Sequence, residues 1–265
     1  MSKRLNKQGM KWNLLGRYRP LIHELVIRDL KLKYQRSFLG YLWSLLNPLL
    51  MMLILNLVFG HVFRFEINNF PLYLICGQTL FNFFSESTGA AMTSVINNAS
   101  LIRKIYVPGY VFPLTRIVSC FVNMSFSLVA IVLVMCITGA KFYWTILTVV
   151  FPVLFLFLFC CGTGMLLSAL TVFFRDLIHL WNVATLVWLY LTPVFYTPDM
   201  LPENVRQIVA HNPLYFYITF FRCAVMQGVL PGPDIWIGCI LSSLLSLFIG
   251  LMVFRKLKER FILYI

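Results

Sequence analysis

Long apolar runs separated by short polar breaks set the pattern of this chain. The runs are Leu39–Val62, Pro71–Ile96, Val111–Thr138, Trp144–Phe174, Leu177–Phe195 and Ile235–Phe254. A helix rises about 1.5 Å per residue and a bilayer core is about 30 Å thick, so about twenty apolar residues suffice to cross it. The pattern therefore predicts six membrane spans. The fourth run is long for a span, so a tilt or an end protruding into water is expected. Asn47-Pro48 marks a kink in the first run. Within the second run, Glu86 is the one clearly intramembrane carboxylate.

The breaks carry as much information as the runs. Asn97–Pro108, NNASLIRKIYVP, is a polar island between the second and third runs. Asn97 or Asn98 can cap a helix start and Pro108 stops its continuation. On such a helix Leu101, Ile102 and Ile105 share one side while Arg103 and Lys104 point elsewhere. A helix this short is marginal alone in water and needs a partner surface. It reads either as a basic turn that holds topology or as a docking element for a soluble partner.

The segment from 196 to 232 is neither span nor ordinary loop. Pro193, Pro198, Pro202, Pro213, Pro231 and Pro233 are half of the prolines in the chain, yet Val205–Ala210 and Leu214–Met226 remain apolar. Backbone broken in this way is tolerated at membrane depth only under protein cover or beside water. Short re-entrant helices in the outer leaflet satisfy the pattern. At the other end, Pro20 suits a first helical turn, and Leu21, Ile22, Leu25 and Val26 form a stripe interrupted by Asp29 and Lys33. An interfacial amphipathic helix is predicted there.

The organisation is thus an all-α integral membrane protein: a cytosolic N-terminus with its interfacial helix (1–38), a six-span domain (39–254) and a basic tail (255–265). Composition agrees, with 60% hydrophobic and 12% charged residues, against about 25% charged in soluble domains. The formal charge of +13 would fit nucleic acid on a soluble protein. Here the basic residues cluster at the ends of apolar runs, and topology explains them. Eighteen of the 22 Lys and Arg fall on one side of the six-span scheme, leaving Arg64, Lys141, Arg206 and Arg222 on the other. Both termini are therefore expected in the cytosol. Cys160, Gly164 and Ser168, spaced four apart, form a stripe open to two uses, packing within one subunit or a dimer seam.

Candidate chemistry is sparse. G-x-x-x-x-G-K-[ST], G-x-S-x-G and H-E-x-x-H do not occur, and the seven cysteines include no C-x-x-C pair. No catalytic or metal-binding residue is predicted. The start, MSKRLNKQGM, is basic and has no apolar core before Leu39, so no cleavable leader is predicted.

Four stretches taken in order, RDLKLKYQRSFLGYLWSLLNPLL, NNASLIRKIYVP, FFRDLIHL and LTPVFYTPDMLPENVRQIVAHNPLYFYITFFR, resemble one family. It is the type-2 class of ATP-binding-cassette exporter permeases, in particular those exporting lipid-linked bacterial polysaccharides: O-antigen, capsule and wall teichoic acid. The resemblance runs from about Leu21 to the last span. It implies a homodimer in the bacterial inner membrane, with two separate ATPase subunits that hold ATP and Mg; this chain itself needs no cofactor. The segment 97–106, with Asn98, Ser100, Leu101, Ile102, Arg103, Lys104, Ile105 and Tyr106, would be the coupling helix seated in an ATPase.

The resemblance also places a cytosolic entrance at Arg28–Leu42, where Arg28, Lys31, Lys33 and Arg36 would meet either a lipid pyrophosphate or anionic headgroups. Sugars stack their C–H faces on aromatic rings, which makes Phe81, Phe83, Phe84, Tyr190 and Tyr196, with Glu86, candidates for a glycan path. Two rival readings remain at this level. One is a permease for a small lipid or drug, disfavoured by the short connection Arg64–Asn69. The other is a membrane-embedded glycan-modifying enzyme, for which catalytic His, Asp and Glu do not cluster. A channel would need charged rings or a carbonyl filter, and neither is evident.

Overall fold

The computed structural model describes residues 14–35, 37, 39–62, 67–104 and 107–264. Arg36, Arg64, Ile105 and Tyr106 lie outside the described residues, as do the side chains of Arg103 and Lys104. Every regular element among the described residues is helical. Helix α1 (Leu14–Tyr34) leads into α2 (Trp43–Val62) through a 3-10 turn at Gly40–Leu42. Then come α3 (Phe70–Asn97), the short α4 (Ala99–Lys104) and α5 (Val111–Thr138). A 3-10 turn at Trp144–Val149 opens α6 (Val150–Phe173), followed by α7 (Leu177–Leu191), α8 (Glu203–Ala210) and α9 (Pro213–Arg222). The chain closes with α10 (Pro233–Leu257) and α11 (Phe261–Tyr264).

Among the described residues, four segments are long and apolar enough to cross a membrane: Gly40–Phe59, Val111–Thr138, Trp144–Phe173 and Pro233–Arg260. The other two predicted spans differ from these for physical reasons. Helix α3 is 28 residues long, but Gln78, Thr79, Asn82, Ser85, Glu86, Ser87 and Thr88 dilute its hydropathy. It forms the spine of the bundle, buried along most of its length between α2, α5, α6, α7 and α9. Helix α7 stops at Leu191 after 15 residues, about 22 Å of helix, because Pro193 cannot supply the next N–H.

The most extensive helix pair is α6 with α10. Glycine makes that approach feasible. A Cβ on Gly162 would collide with the backbone of Ser246 and Leu247, and one on Gly250 with the backbone of Gly162. The small-residue stripe is used inside the subunit: Cys160, Gly164 and Ser168 are all buried, and a Cβ on Gly164 would press on Ile117 and Ala91.

Two further expectations are corrected. Helix α1 starts at Leu14, so Pro20 lies inside it rather than in its first turn. Asn98 does not cap α4 through its side chain; its Nδ2 donates back to the Ser94 carbonyl at 2.8 Å. Its carbonyl instead accepts from the N–H groups of Leu101 and Ile102 at 3.0 and 3.1 Å. The described residues of the basic tail continue in helical turns, with Phe261 buried against Phe254 and Phe173.

Candidate functional site

Charged side chains gather where α1 crosses α3 and α5. Asp29 and Lys33 are four apart on α1 and share a face. Asp29, 8% exposed, lies between Arg28 at 3.3 Å and Arg116 of α5 at 3.0 Å. Lys33 Nζ reaches Glu86 Oε2 of α3 at 3.5 Å. The two pairs differ in weight. Breaking a buried pair strands a charge at a cost of about 3–5 kcal/mol, whereas an exposed pair is worth about 1 kcal/mol or less. Asp29–Arg116 is therefore the buried ion pair between α1 and α5, although Asp29 Oδ2 makes no hydrogen bond among the described residues, and Lys33–Glu86 is the exposed one.

Of the predicted entrance residues, Arg28 and Lys33 join this cluster, and Lys31 is an exposed residue without an ion pair among the described residues. Glu86 belongs to it too. Its neighbours Ser87 and Thr88 donate to the Phe84 carbonyl, at 3.1 and 2.7 Å, rather than to Glu86. Lys33 meets Glu86 instead. Sequence reasoning passed over Asp29 and Arg116 as site residues. The available signal was an acid interrupting the apolar stripe of α1 and a lone cation inside an apolar run.

Two cavities adjoin the cluster. One of about 150 Å³ is lined by Lys33, Trp43, Asn47, Asn82, Glu86 and Asn123 among others. The other, about 480 Å³, lies against Asp29, Lys33, Glu86, Arg116, Cys120 and Asn123.

The predicted path residues do not share one surface. Phe81, Phe83 and Phe84 are buried inside the subunit. Phe84 centres an aromatic cluster, with ring centroids 5.1 Å from Trp188, 5.8 Å from Phe159 and 6.1 Å from Trp181. In this conformation their faces are closed to a polymer. Phe83 borders the smaller of the two cavities. Tyr190 is 65% exposed, and Tyr196 donates its hydroxyl to the Tyr190 carbonyl at 2.7 Å.

Helix α4 rests on its own subunit. Ile102 packs against a small cluster of Val95, Met165, Ala169, Val172, Phe254 and Phe261. Ser100 is exposed and Leu101 is half-buried without belonging to that cluster. The apolar side of this short helix is thus divided between the subunit and the outside.

At the far end of the bundle, Arg222 is buried without a carboxylate partner among the described residues. It donates to the carbonyls of Pro193, Val194 and Tyr73 at 2.6, 3.0 and 3.0 Å and lies 3.4 Å over the Tyr73 ring. Asn212 donates to Thr192 Oγ1 at 2.8 Å and accepts from Trp188 Nε1 at 2.8 Å and Leu214 N–H at 3.0 Å. Together they satisfy the backbone freed where α7 breaks.

Residues 20–226 match the ABC-2 type transporter family. The chain belongs to that family. Within it, the chain is 34% identical over 257 residues to the O-antigen export system permease protein RfbA of Klebsiella pneumoniae, covering 95% of this chain and 97% of that protein. It is 31% identical to the RfbA permease of Myxococcus xanthus, over 93% and 96% of the two chains. The polysialic acid transport protein KpsM of Escherichia coli is 24% identical over 90% of this chain and 93% of its own. The ABC-2 match spans the charged cluster, α4 and the arginine-pinned break, so all three sit within the family's own domain.

Proposed function

We propose that this ABC-2 family chain is the permease subunit of an ATP-driven exporter that moves a lipid-linked polysaccharide across the bacterial inner membrane. The observation that carries the reading is similarity over nearly the whole length of both chains to O-antigen export permeases. The four membrane-length helices support a multi-pass membrane location. With α3 and α7 added, the chain makes six spans with both termini cytosolic, α1 in the cytosolic interface, and α8 and α9 as re-entrant helices on the outer side. The basic bias of the sequence supports that orientation.

Two copies form the pathway, and each engages a separate ATPase that holds ATP and Mg. The chain itself is a transport subunit rather than an enzyme. Segment 97–106 couples to the ATPase, and Arg28, Lys31, Lys33 and Arg36 border the cytosolic entrance. Of the candidate path residues, Glu86, Tyr190 and Tyr196 serve the glycan in the dimer, with Tyr190 already open at the surface, while Phe81, Phe83 and Phe84 pack the subunit core. The test is co-expression with a candidate ATP-binding-cassette ATPase in a strain lacking its own exporter. Co-purification and restored surface polysaccharide are expected. Stable pairing with no polysaccharide at the surface, but efflux of a small lipid or drug, overturns the polymer reading.

A further inference from the structure

We propose that a cavity beside Arg222, at the far end of the bundle, is a binding site for an acidic sugar residue, built within each subunit. The export reading enters only in naming the emerging polymer as the natural source of that sugar. The cavity encloses about 570 Å³, within the range of small-ligand sites, about 300–1,000 Å³. Four parts of the chain supply its wall: residues 67–73 at the start of α3, the turn at 140–141 after α5, residues 193–199 beyond the break of α7, and residues 215–227. The last of these ends in a single π turn, Cys223–Gln227, closed by Gly228 at φ 70°. Cys223, Met226 and Gln227 of that turn all line the cavity, and π turns are frequent at functional sites. Arg222 also lines it and is 7% exposed. Backbone carbonyls take its two terminal nitrogens, but its buried Nε–H has no acceptor among the described residues. A buried donor left unpaired is costly, and an oxygen of a ligand in the cavity supplies the missing acceptor.

The lining selects the ligand. Lys141 and Arg222 have no carboxylate partner among the described residues, whereas Asp199 is exposed and already paired with Arg206 at 3.4 Å. The wall therefore carries uncompensated positive charge, which favours an anion. A bare anion would leave the rest of the lining idle. Asn68 and Gln227 line the cavity too, and each offers two N–H donors and a carbonyl acceptor. That combination suits hydroxyl groups, which both donate and accept. Tyr215 adds a ring on which the C–H face of a pyranose can stack. The Tyr73 ring is covered on one side by the Arg222 guanidinium, 3.4 Å from its centroid, so Tyr215 is the free platform. Cation, amides and ring together fit a uronic acid better than a neutral sugar or a simple carboxylate.

The experiment uses the full-length chain in nanodiscs and measures binding of galacturonic acid, galactose and acetate by calorimetry. Arg222 is left intact because it pins the break of α7. The parent is expected to bind galacturonic acid about tenfold more tightly than either galactose or acetate. Lys141→Gln should bring galacturonic acid down to the level of galactose, and Lys141→Arg should restore the preference. Tyr215→Ala should weaken both sugars about tenfold, with an unfolding midpoint at the parental value showing that the fold is kept. No binding of galacturonic acid by the parent overturns the proposal. So does acetate binding as tightly as the sugar acid, which makes the site one for any anion, or parental binding in both Lys141→Gln and Tyr215→Ala. The site and the export reading fail separately. Sugar binding in a chain that restores no surface polysaccharide keeps the site and removes the export reading, whereas restored polysaccharide without sugar binding removes the site alone.

Discussion

The carbonyl of Gly162 occupies the place where a side chain on Gly250 would begin, so α6 and α10 touch backbone to backbone. Such contact lets weak attractions act at short range in a solvent that gives helices no hydrophobic reason to associate. Gly250→Ala is expected to destabilise the subunit, since overpacking costs about 1–3 kcal/mol and the obstacle here is backbone rather than a flexible side chain. Gly89→Ala is the control, because a Cβ there meets nothing within 4 Å. Thermal unfolding in detergent should show a lower midpoint for Gly250→Ala and parental behaviour for Gly89→Ala.

Arg222 should tolerate no substitute. Its three carbonyl partners come from the broken end of α7 and from α3, and each buried acceptor left unpaired costs about 1–3 kcal/mol. Arg222→Lys keeps the charge and loses the planar fork that reaches three acceptors at once. Both Arg222→Lys and Arg222→Met are expected to lower the yield of folded protein several-fold on size-exclusion chromatography. A parental profile for the lysine variant would show that charge alone holds the break.

Orientation is checked by single cysteines in a background without native ones. Asn69 is a poor site, because its side chain caps α3 and donates to Thr138 at 2.9 Å. Asn98 is equally poor, being 7% exposed. Asn68, Asn204 and Ser100 are exposed, with no side-chain hydrogen bond among the described residues. An impermeant thiol reagent added to sealed cells should label positions 68 and 204 and spare position 100. Strong outside labelling at 100 would overturn the six-span scheme.

What could be read from the chain alone follows from which physical signals are local. The apolar runs gave helices within a few residues, since hydropathy and length need no neighbour; the observed α5 matches its run, Val111–Thr138, at both ends. Leu177–Phe195 was read four residues too long because hydropathy continues past Pro193 while helical hydrogen bonding does not. The entrance was legible in part, through Lys33 and Arg28. Its partners Glu86 and Arg116 lie 53 and 87 residues away from Lys33 and Asp29, and nothing in their own neighbourhoods foretells the pairing. Aromatic residues were the least legible. A glycan wall and a packed core draw on the same side chains, and Phe84 proved to be core.

The polar island carries the last prediction. From the sequence, Leu101 and Ile102 form one apolar side available to a partner. In the structure Ile102 is committed to the cluster of Val95, Met165, Phe254 and Phe261, and Leu101 is outside it. The two should therefore fail differently. Burying a leucine side chain is worth about 1.5–3 kcal/mol, so Leu101→Ala should weaken ATPase association by about ten- to a hundredfold and leave thermal stability at the parental value. Ile102→Ala should instead lower the unfolding midpoint of the permease, with any loss of association following from a displaced α4. Arg103→Gln should matter less than either, because rim charges are screened and act mainly on association rate. Co-purification and polysaccharide export, measured on the same membranes alongside unfolding in detergent, separate the cases. If Leu101→Ala binds the ATPase and exports like the parent, Asn97–Pro108 is a topological turn and the coupling contact lies elsewhere.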